Sequence, residues 1–406
     1  MSVGRIFSGL VLNGVLCVCS YLVPKRRNTF LLGGGLGKSF SGNPKYFYLY
    51  LERELSKGRK VWSSHSWITK SDEVLSELQQ ANRPVIDART FAGFWAILRS
   101  EFLILESGTA IGSGAHDIVY ERILLGRFKI VQMWHGSPLK RINLDALHDR
   151  ENPRLIERIY TKICQLELSR LTVILALSEA DASIFRSAFN NNRIVKLGYP
   201  KNDVLFGDPQ SWGVTLRYQK YDKVLLYAPT FRDHPDVVTP FTLEFLERLD
   251  GELRERNWCL LIKKHPYDRG LHVPRYLENI LDVTTFENDI QELLVQTDLL
   301  ITDYSSVFVD FLLRDKPQIF YVYDLDDYKT RSRGMYYELK DMAPGPIART
   351  EEELLDLMLT ADEWYLMKTN RVLRAAALER FHSYTAGGAC KRVAEALTDG
   401  FREFDC

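Results

Sequence analysis

Val224-Leu225-Leu226-Tyr227-Ala228 runs directly into Pro229-Thr230-Phe231-Arg232-Asp233. A short, almost wholly apolar run that stops at a proline-marked polar turn reads as a strand buried on both faces, as in a parallel sheet. The pattern repeats downstream. Cys259–Ile262 leads into Lys263-Lys264-His265-Pro266, and Leu299–Thr302 into Asp303-Tyr304-Ser305-Ser306; Gln318–Val322 is a further run. An earlier series comprises Thr29–Leu32, Phe102–Leu105, Ile130–Met133, Thr172–Ala176 and Ile194–Leu197. Helical patterns lie between the runs, among them Ala180–Phe189, Leu243–Arg254, Ile290–Gln296 and Glu351–Leu359. Strands alternating with helices predict α/β units with doubly wound parallel sheets.

Gly198-Tyr199-Pro200-Lys201-Asn202-Asp203 closes the first series, and a charged, aromatic connection runs on to about Lys223. The expected organisation is two Rossmann-like domains, residues 24–205 and 206–375, followed by a C-terminal helical segment, 376–406. Two such sheets facing a cleft would place ligands beyond the carboxyl ends of their strands. The polar residues at strand ends therefore carry the functional argument.

The chain has 406 residues, enough for two or three domains at roughly 150 each. Lys+Arg and Asp+Glu both number 53, so the formal net charge is zero. No bulk positive field exists for nucleic acid, which leaves only local basic patches for phosphate. The six cysteines are scattered without a CxxC pair, against both a zinc ribbon and a disulfide framework and in keeping with a reducing cytosol.

Ile6 to Val23 is an apolar stretch between Arg5 and Lys25-Arg26-Arg27. It is short for a bilayer span and lacks a small-x-small cleavage site. Arg5, Gly9, Asn13 and Ser20 fall on one helical face, which suits an interfacial helix. Residues 1–23 are therefore expected to contact a membrane surface, with the basic cluster keeping the rest of the chain on the cytoplasmic face as a peripheral protein.

Gly33-Gly34-Gly35-Leu36-Gly37-Lys38-Ser39 follows the first strand, but a P-loop would need glycine at position 32, which is Leu. The expected helix start is instead Asn43 as N-cap with Pro44 first inside. Trp134-His135-Gly136-Ser137-Pro138-Leu139-Lys140 follows the Ile130–Met133 strand. It presents an imidazole at a strand end, a glycine that permits close approach, and a cation. Arg232 offers a fork suited to phosphate, or to a salt bridge with Asp233 or another carboxylate. Lys263, Lys264 and His265 form a local cation cluster. Ser305 and Ser306 stand at a helix start, as ordinary caps or as diphosphate ligands. The remaining histidines have neither HxH nor HExxH spacing, and GxSxG is absent. Asp324, Asp326 and Asp327 cluster, but a single ligand-type spacing is thin support for a metal.

Taken together, Gln132–Lys140, Gly198–Asp203, Tyr227–Asp233, Lys263–Pro266, Asp289–Leu294, Leu300–Ser306, Asp315–Phe320 and Arg333–Tyr337 resemble, in order, the motifs of the CDP-glycerol glycerophosphotransferase family, the teichoic acid primases and polymerases. The resemblance implies a glycosyltransferase B type fold with an N-terminal acceptor domain and a C-terminal CDP-donor domain. It implies transfer of glycerol phosphate or a similar polyol phosphate from CDP-glycerol or CDP-ribitol to an acceptor hydroxyl, with release of CMP. The acceptor would be a lipid-linked glycan or polyol phosphate, and the product a teichoic acid or capsule-type polymer. No cofactor or metal is implied. The implied catalytic residues are His135, the candidate base, and His265. Arg232, His265, Ser305 and Ser306 are similar to donor phosphate ligands; Gly136, Lys140, Lys264 and Asp303 complete the implied substrate-binding set. Tyr384–Ala389 departs from the family pattern, in which an Asp-Gly pair is common there. Two other readings compete. A nucleotide-sugar glycosyltransferase would release a nucleoside diphosphate. A non-catalytic scaffold would not be expected to keep His135, Arg232 and His265 together.

Overall fold

A computed structural model describes residues 15, 17–58, 62, 64–106, 126–148, 155–230, 232, 239–264, 271–286, 289–325, 328, 334–399 and 401. The chain divides into two compact units. The first comprises residues 1–135, 142–203 and 387–406; the second comprises 136–141 and 204–386. The loop Gly136–Arg141 thus belongs to the second unit, and the last helix to the first.

Among the described residues, the first unit holds seven parallel strands: β1 (Arg26–Gly33), β2 (Ser64–Thr69), β3 (Val85–Asp87), β4 (Ser100–Leu105), β5 (Lys129–Gln132), β6 (Val173–Ala176) and β7 (Ile194–Lys196). Their spatial order is β3-β2-β1-β4-β5-β6-β7. The second holds six: β8 (Lys223–Tyr227), β9 (Trp258–Ile262), β10 (Ile280–Asp282), β11 (Leu299–Thr302), β12 (Gln318–Tyr321) and β13 (Ile347–Ala348), in the order β10-β9-β8-β11-β12-β13. Each sheet starts at an inner strand, winds outward, and returns to continue on the other side. The reversal falls between β1 and β4 in the first sheet and between β8 and β11 in the second. In doubly wound sheets that switch point opens a crevice at the carboxyl ends.

The expected strands form because their apolar residues are covered on both faces. Leu31, Leu103, Ile130 and Ile174 pack with Phe185 and Phe189 in one core; Leu225, Leu260, Ile301 and Ile319 pack with Phe245 and Leu249 in the other. Strands β2, β3, β10 and β13 were not among the apolar runs. β2 reads Ser64-His65-Ser66-Trp67, too polar to stand out, and the other three have three residues or fewer.

Two local expectations are corrected. Asn43 is not the N-cap of its helix, which spans Gly42–Ser56 with Ser41 in that position. Its amide is used elsewhere, as described below. Ser20 does not lie on an exposed polar face: it is buried, and its hydroxyl accepts the Arg127 N–H at 2.8 Å. The side chains turned outward nearby are Val18, Tyr21 and Leu22. Among the described residues, no helix is long and apolar enough to cross a membrane. Arg5, Gly9 and Asn13 lie outside the described residues.

Candidate active site

In the first unit, β1, β4 and β5 end side by side, with Gly33 opposite Leu105 and Leu105 opposite Gln132. Beyond β1 the glycine loop folds tightly. Gly35–Gly37 is a single 3₁₀ turn, and no helix begins at Lys38, so the loop is not a P-loop. Beyond β4 comes Glu106, a buried carboxylate that accepts the Asn43 N–H at 3.0 Å and the Gly35 N–H at 3.5 Å. Gly42 has φ +67°, and a Cβ there would collide with that carboxylate.

Beyond β5 comes Met133-Trp134-His135. Trp134 has φ +54°, a left-handed conformation that a bulky residue seldom adopts. Its ring is buried edge-on against Phe189, with centroids 5.1 Å apart. His135 follows and is exposed, its ring 4.4 Å from that of Trp134. An imidazole so placed can reach a bound hydroxyl.

In the second unit the ends of β8, β9, β11 and β12 gather most of the remaining residues. Gly136 permits a close approach, as its residue type suggested: a Cβ there would stand 2.6 Å from the Ser306 hydroxyl. Lys140 pairs with Met335 in an isolated antiparallel bridge, and its ammonium lies 5.1 Å from the Tyr328 ring centre. Tyr328 stacks on Tyr304 at 3.8 Å. Ser305 and Ser306 are half-buried at the head of the short helix Val307–Phe311, and neither caps it strongly; the Val307 N–H lies 3.5 Å from the Ser305 hydroxyl.

Arg232 takes the carboxylate alternative. Its fork meets Asp324 at 2.7 and 3.0 Å, its Nη1 donates to the Thr230 carbonyl at 2.6 Å, and the same nitrogen stands 2.8 Å from Asp303. Burial draws the guanidinium pKa down, but Asp303 and the bond to Asp324 outweigh it and hold the charge more firmly than usual. Asp233 lies outside the described residues. Asp303 is fully buried and accepts the Thr230 N–H at 2.8 Å, tying the end of β8 to that of β11. Lys264 donates to the Leu271 carbonyl and lies 3.1 Å from Asp282; Lys263 donates to the Thr284 carbonyl at 3.0 Å. The two lysines therefore pin the loops around β9 and β10 and do not stand as open cations. His265 lies outside the described residues, as do Asp326 and Asp327; Asp324 is engaged by Arg232.

Sequence reasoning missed Glu106 and the Tyr304–Tyr328 stack, and missed what Asn43, Lys201 and Asp324 bind. Glu106 could have been found, since it directly follows an expected strand. The others act through contacts across 24 to 158 residues that no local pattern announces.

A sequence model of the family described as CDP-glycerol:poly(glycerophosphate) glycerophosphotransferase matches residues 16–399. A teichoic acid glycerol-phosphate transferase of Staphylococcus aureus is 30% identical over 378 residues, covering 89% of this chain and 90% of that protein. A teichoic acid poly(ribitol-phosphate) polymerase of Bacillus spizizenii is 37% identical over 264 residues, covering 60% of this chain but 40% of that protein. Among solved structures, the wall teichoic acid polymerase TagF superposes with a TM-score of 0.75 at 23% identity, over 98% of this chain and 97% of that one. With the family model spanning nearly its whole length, the chain belongs to the CDP-glycerol:poly(glycerophosphate) glycerophosphotransferase family.

Proposed function

We propose that the chain transfers glycerol phosphate, or a similar polyol phosphate, from a CDP-activated donor to an acceptor hydroxyl in cell-surface polymer synthesis. In this reading the two units are the Rossmann-like domains of a glycosyltransferase B type enzyme, with the acceptor held by residues 24–205 and the CDP-polyol by 206–375. The acceptor oxygen attacks the β-phosphorus. The bond from that phosphorus to the bridging oxygen breaks, CMP leaves with the electron pair, and His135 takes the acceptor's proton. Charge gathers on the equatorial oxygens, so catalysis rests on placed donors and cations. His265, Ser305, Ser306 and Lys140 would supply them. Arg232, Asp303 and Lys264 would act mainly by fixing the loops that carry these groups, because their polar atoms already have protein partners.

The observation that carries the reading is an exposed imidazole at a strand end, following a buried and unusually bent Trp134, in a chain of this family. The acceptor is taken to be lipid-linked, and the protein peripheral on the cytoplasmic face of the membrane. Support comes from Val18, Tyr21 and Leu22, exposed close in sequence to exposed Arg26 and Arg27. Lys25 is half-buried and turned onto the protein instead of outward. It donates to the Leu98 carbonyl at 2.6 Å, and burial, aided by Arg127, lowers its pKa to about 8.

Purified protein incubated with CDP-glycerol or CDP-ribitol and a lipid-linked acceptor should release CMP, followed by chromatography. Turnover of a nucleotide sugar with release of a nucleoside diphosphate would favour the glycosyltransferase reading. Failure with both CDP-polyols would overturn the proposal.

A further inference from the structure

His135 is exposed and follows Trp134, whose ring lies 4.4 Å from its own, so the course of the backbone here sets where the imidazole stands. That backbone is bent at Trp134, whose left-handed conformation persists only where the surroundings over-determine it. The surroundings do so through two buried side chains remote in sequence. The Asn43 amide donates to the Met133 carbonyl at 3.2 Å and to the Trp134 carbonyl at 2.7 Å. The Lys201 ammonium donates to the His135 carbonyl at 2.7 Å. Three successive carbonyls are thus bound by two side chains. These two are themselves joined, since the Lys201 N–H donates to the Asn43 side-chain oxygen at 3.1 Å. Glu106 completes the frame by accepting the Asn43 N–H, and the Gln132 side chain accepts the Trp134 N–H at 3.0 Å.

We infer that Asn43 and Lys201 are positioning residues for His135, a role that rests on the proposed reaction. They come from different elements, the helix Gly42–Ser56 and the turn Pro200–Leu205, and meet only at this strand end. Both are buried. Neither is placed to touch substrate through these bonds; each holds the base's main chain. Misplacing a reacting group by about 1 Å can cost roughly a hundredfold in rate.

The test compares Lys201→Met, Lys201→Gln and Asn43→Ala with wild type and His135→Ala. The readouts are kcat for CMP release from CDP-glycerol, CDP-glycerol affinity by calorimetry, and the thermal midpoint. Lys201→Met should lower kcat between about tenfold and a hundredfold while donor affinity stays within about twofold. Lys201→Gln keeps a donor for the His135 carbonyl and should recover most of that loss. Asn43→Ala should lose at least as much rate, with a lower midpoint. If wild type is active and His135→Ala is not, yet Lys201→Met keeps kcat within about threefold, the inference is overturned and the reaction stands. Equal losses in Lys201→Met and Lys201→Gln also overturn it, because shape and not the hydrogen bond would then matter. An active His135→Ala would overturn the proposed reaction itself, and this inference with it.

Discussion

The Asp203 carboxylate accepts the Cys390 N–H at 2.8 Å across 187 residues, and the N–H groups of Gly388 and Ala389 at the same distance. It closes the start of the helix Ala389–Thr398, where unpaired N–H groups and the helix dipole favour an anion. Gly388 and Ala389 close the segment Tyr384–Ala389, where the resemblance implied a departure from the family's common Asp-Gly pair. Gly388 sits at φ +96°, which a side chain would resist. The helix start is occupied by the protein's own carboxylate and is not open to a donor phosphate.

Asp203→Ala leaves three N–H groups without their acceptor, those of Ala389 and Cys390 buried. Hydrogen bonds to a charged group contribute roughly 1.5–3 kcal/mol each and are not additive, so a loss of about 3 kcal/mol is expected. Asp203→Asn keeps one acceptor oxygen and should cost about half as much. Urea unfolding of both variants checks the order; equal losses would mean that the charge contributes nothing.

His65 gives a pH signature. It is buried on β2, edge-on to Tyr48 with ring centroids 4.7 Å apart, and neither ring nitrogen has a hydrogen-bond partner among the described residues. Burial lowers its pKa from 6.5 to about 4. The folded state therefore favours the neutral ring. The associated stability is present above pH 6.5 and drains away as pH falls toward 4, amounting to about 3 kcal/mol for such a shift. In His65→Phe, the loss of unfolding free energy between pH 7 and pH 4 should be smaller than in wild type by about that amount. Parallel pH curves would show that His65 is not what titrates.

Much of the sheet architecture was legible because a strand buried on both faces must be largely apolar, as Leu299–Ile301 of the strand Leu299–Thr302 is. β2 escaped notice because Ser64, His65 and Ser66 interrupt it, and its burial rests on Trp67 and Ile68. Strand ends were equally legible as places for polar residues, which is how His135 and Arg232 were singled out. What those residues touch was not. Asn43 before Pro44 reads locally as a helix cap, and only the fold brings Met133 and Trp134 to its amide, some 90 residues on. Arg232 next to Asp233 reads as a local pair, whereas its carboxylate partners are Asp303 and Asp324.

Replacing His135 with Ala removes an exposed side chain that lies outside the cores of both sheets. Loss of a general base typically slows a reaction by about a hundred- to ten-thousand-fold. CMP release should fall in that range, while the thermal midpoint and CDP-glycerol affinity hold. Turnover within about threefold of wild type would remove His135 from the role of base.

Arg232 separates two ways in which a cation can serve a phosphate site. Its side chain is 8% exposed, that of Asp303 0% and that of Asp324 10%, so one buried cation balances two buried carboxylates. The excess negative charge is met by N–H donation from Thr230 to Asp303. The faces of Tyr304 and Tyr328 lie 5.4 and 5.0 Å from the guanidinium carbon and exclude water from it. Removing one partner of such a pair strands the other charges and costs roughly 3–5 kcal/mol. Arg232→Ala should therefore lower unfolding free energy by about that much. Arg232→Lys should recover little, because an ammonium cannot grip Asp324 with two parallel bonds. Donor affinity should fall as well, by about tenfold or more, because Asp303 anchors the turn that carries Ser305 and Ser306. Urea unfolding and calorimetry with CDP-glycerol read the two effects separately. An unchanged unfolding midpoint together with a hundredfold loss of donor affinity would show Arg232 to be a direct phosphate ligand, and its hold on Asp303 and Asp324 to be incidental.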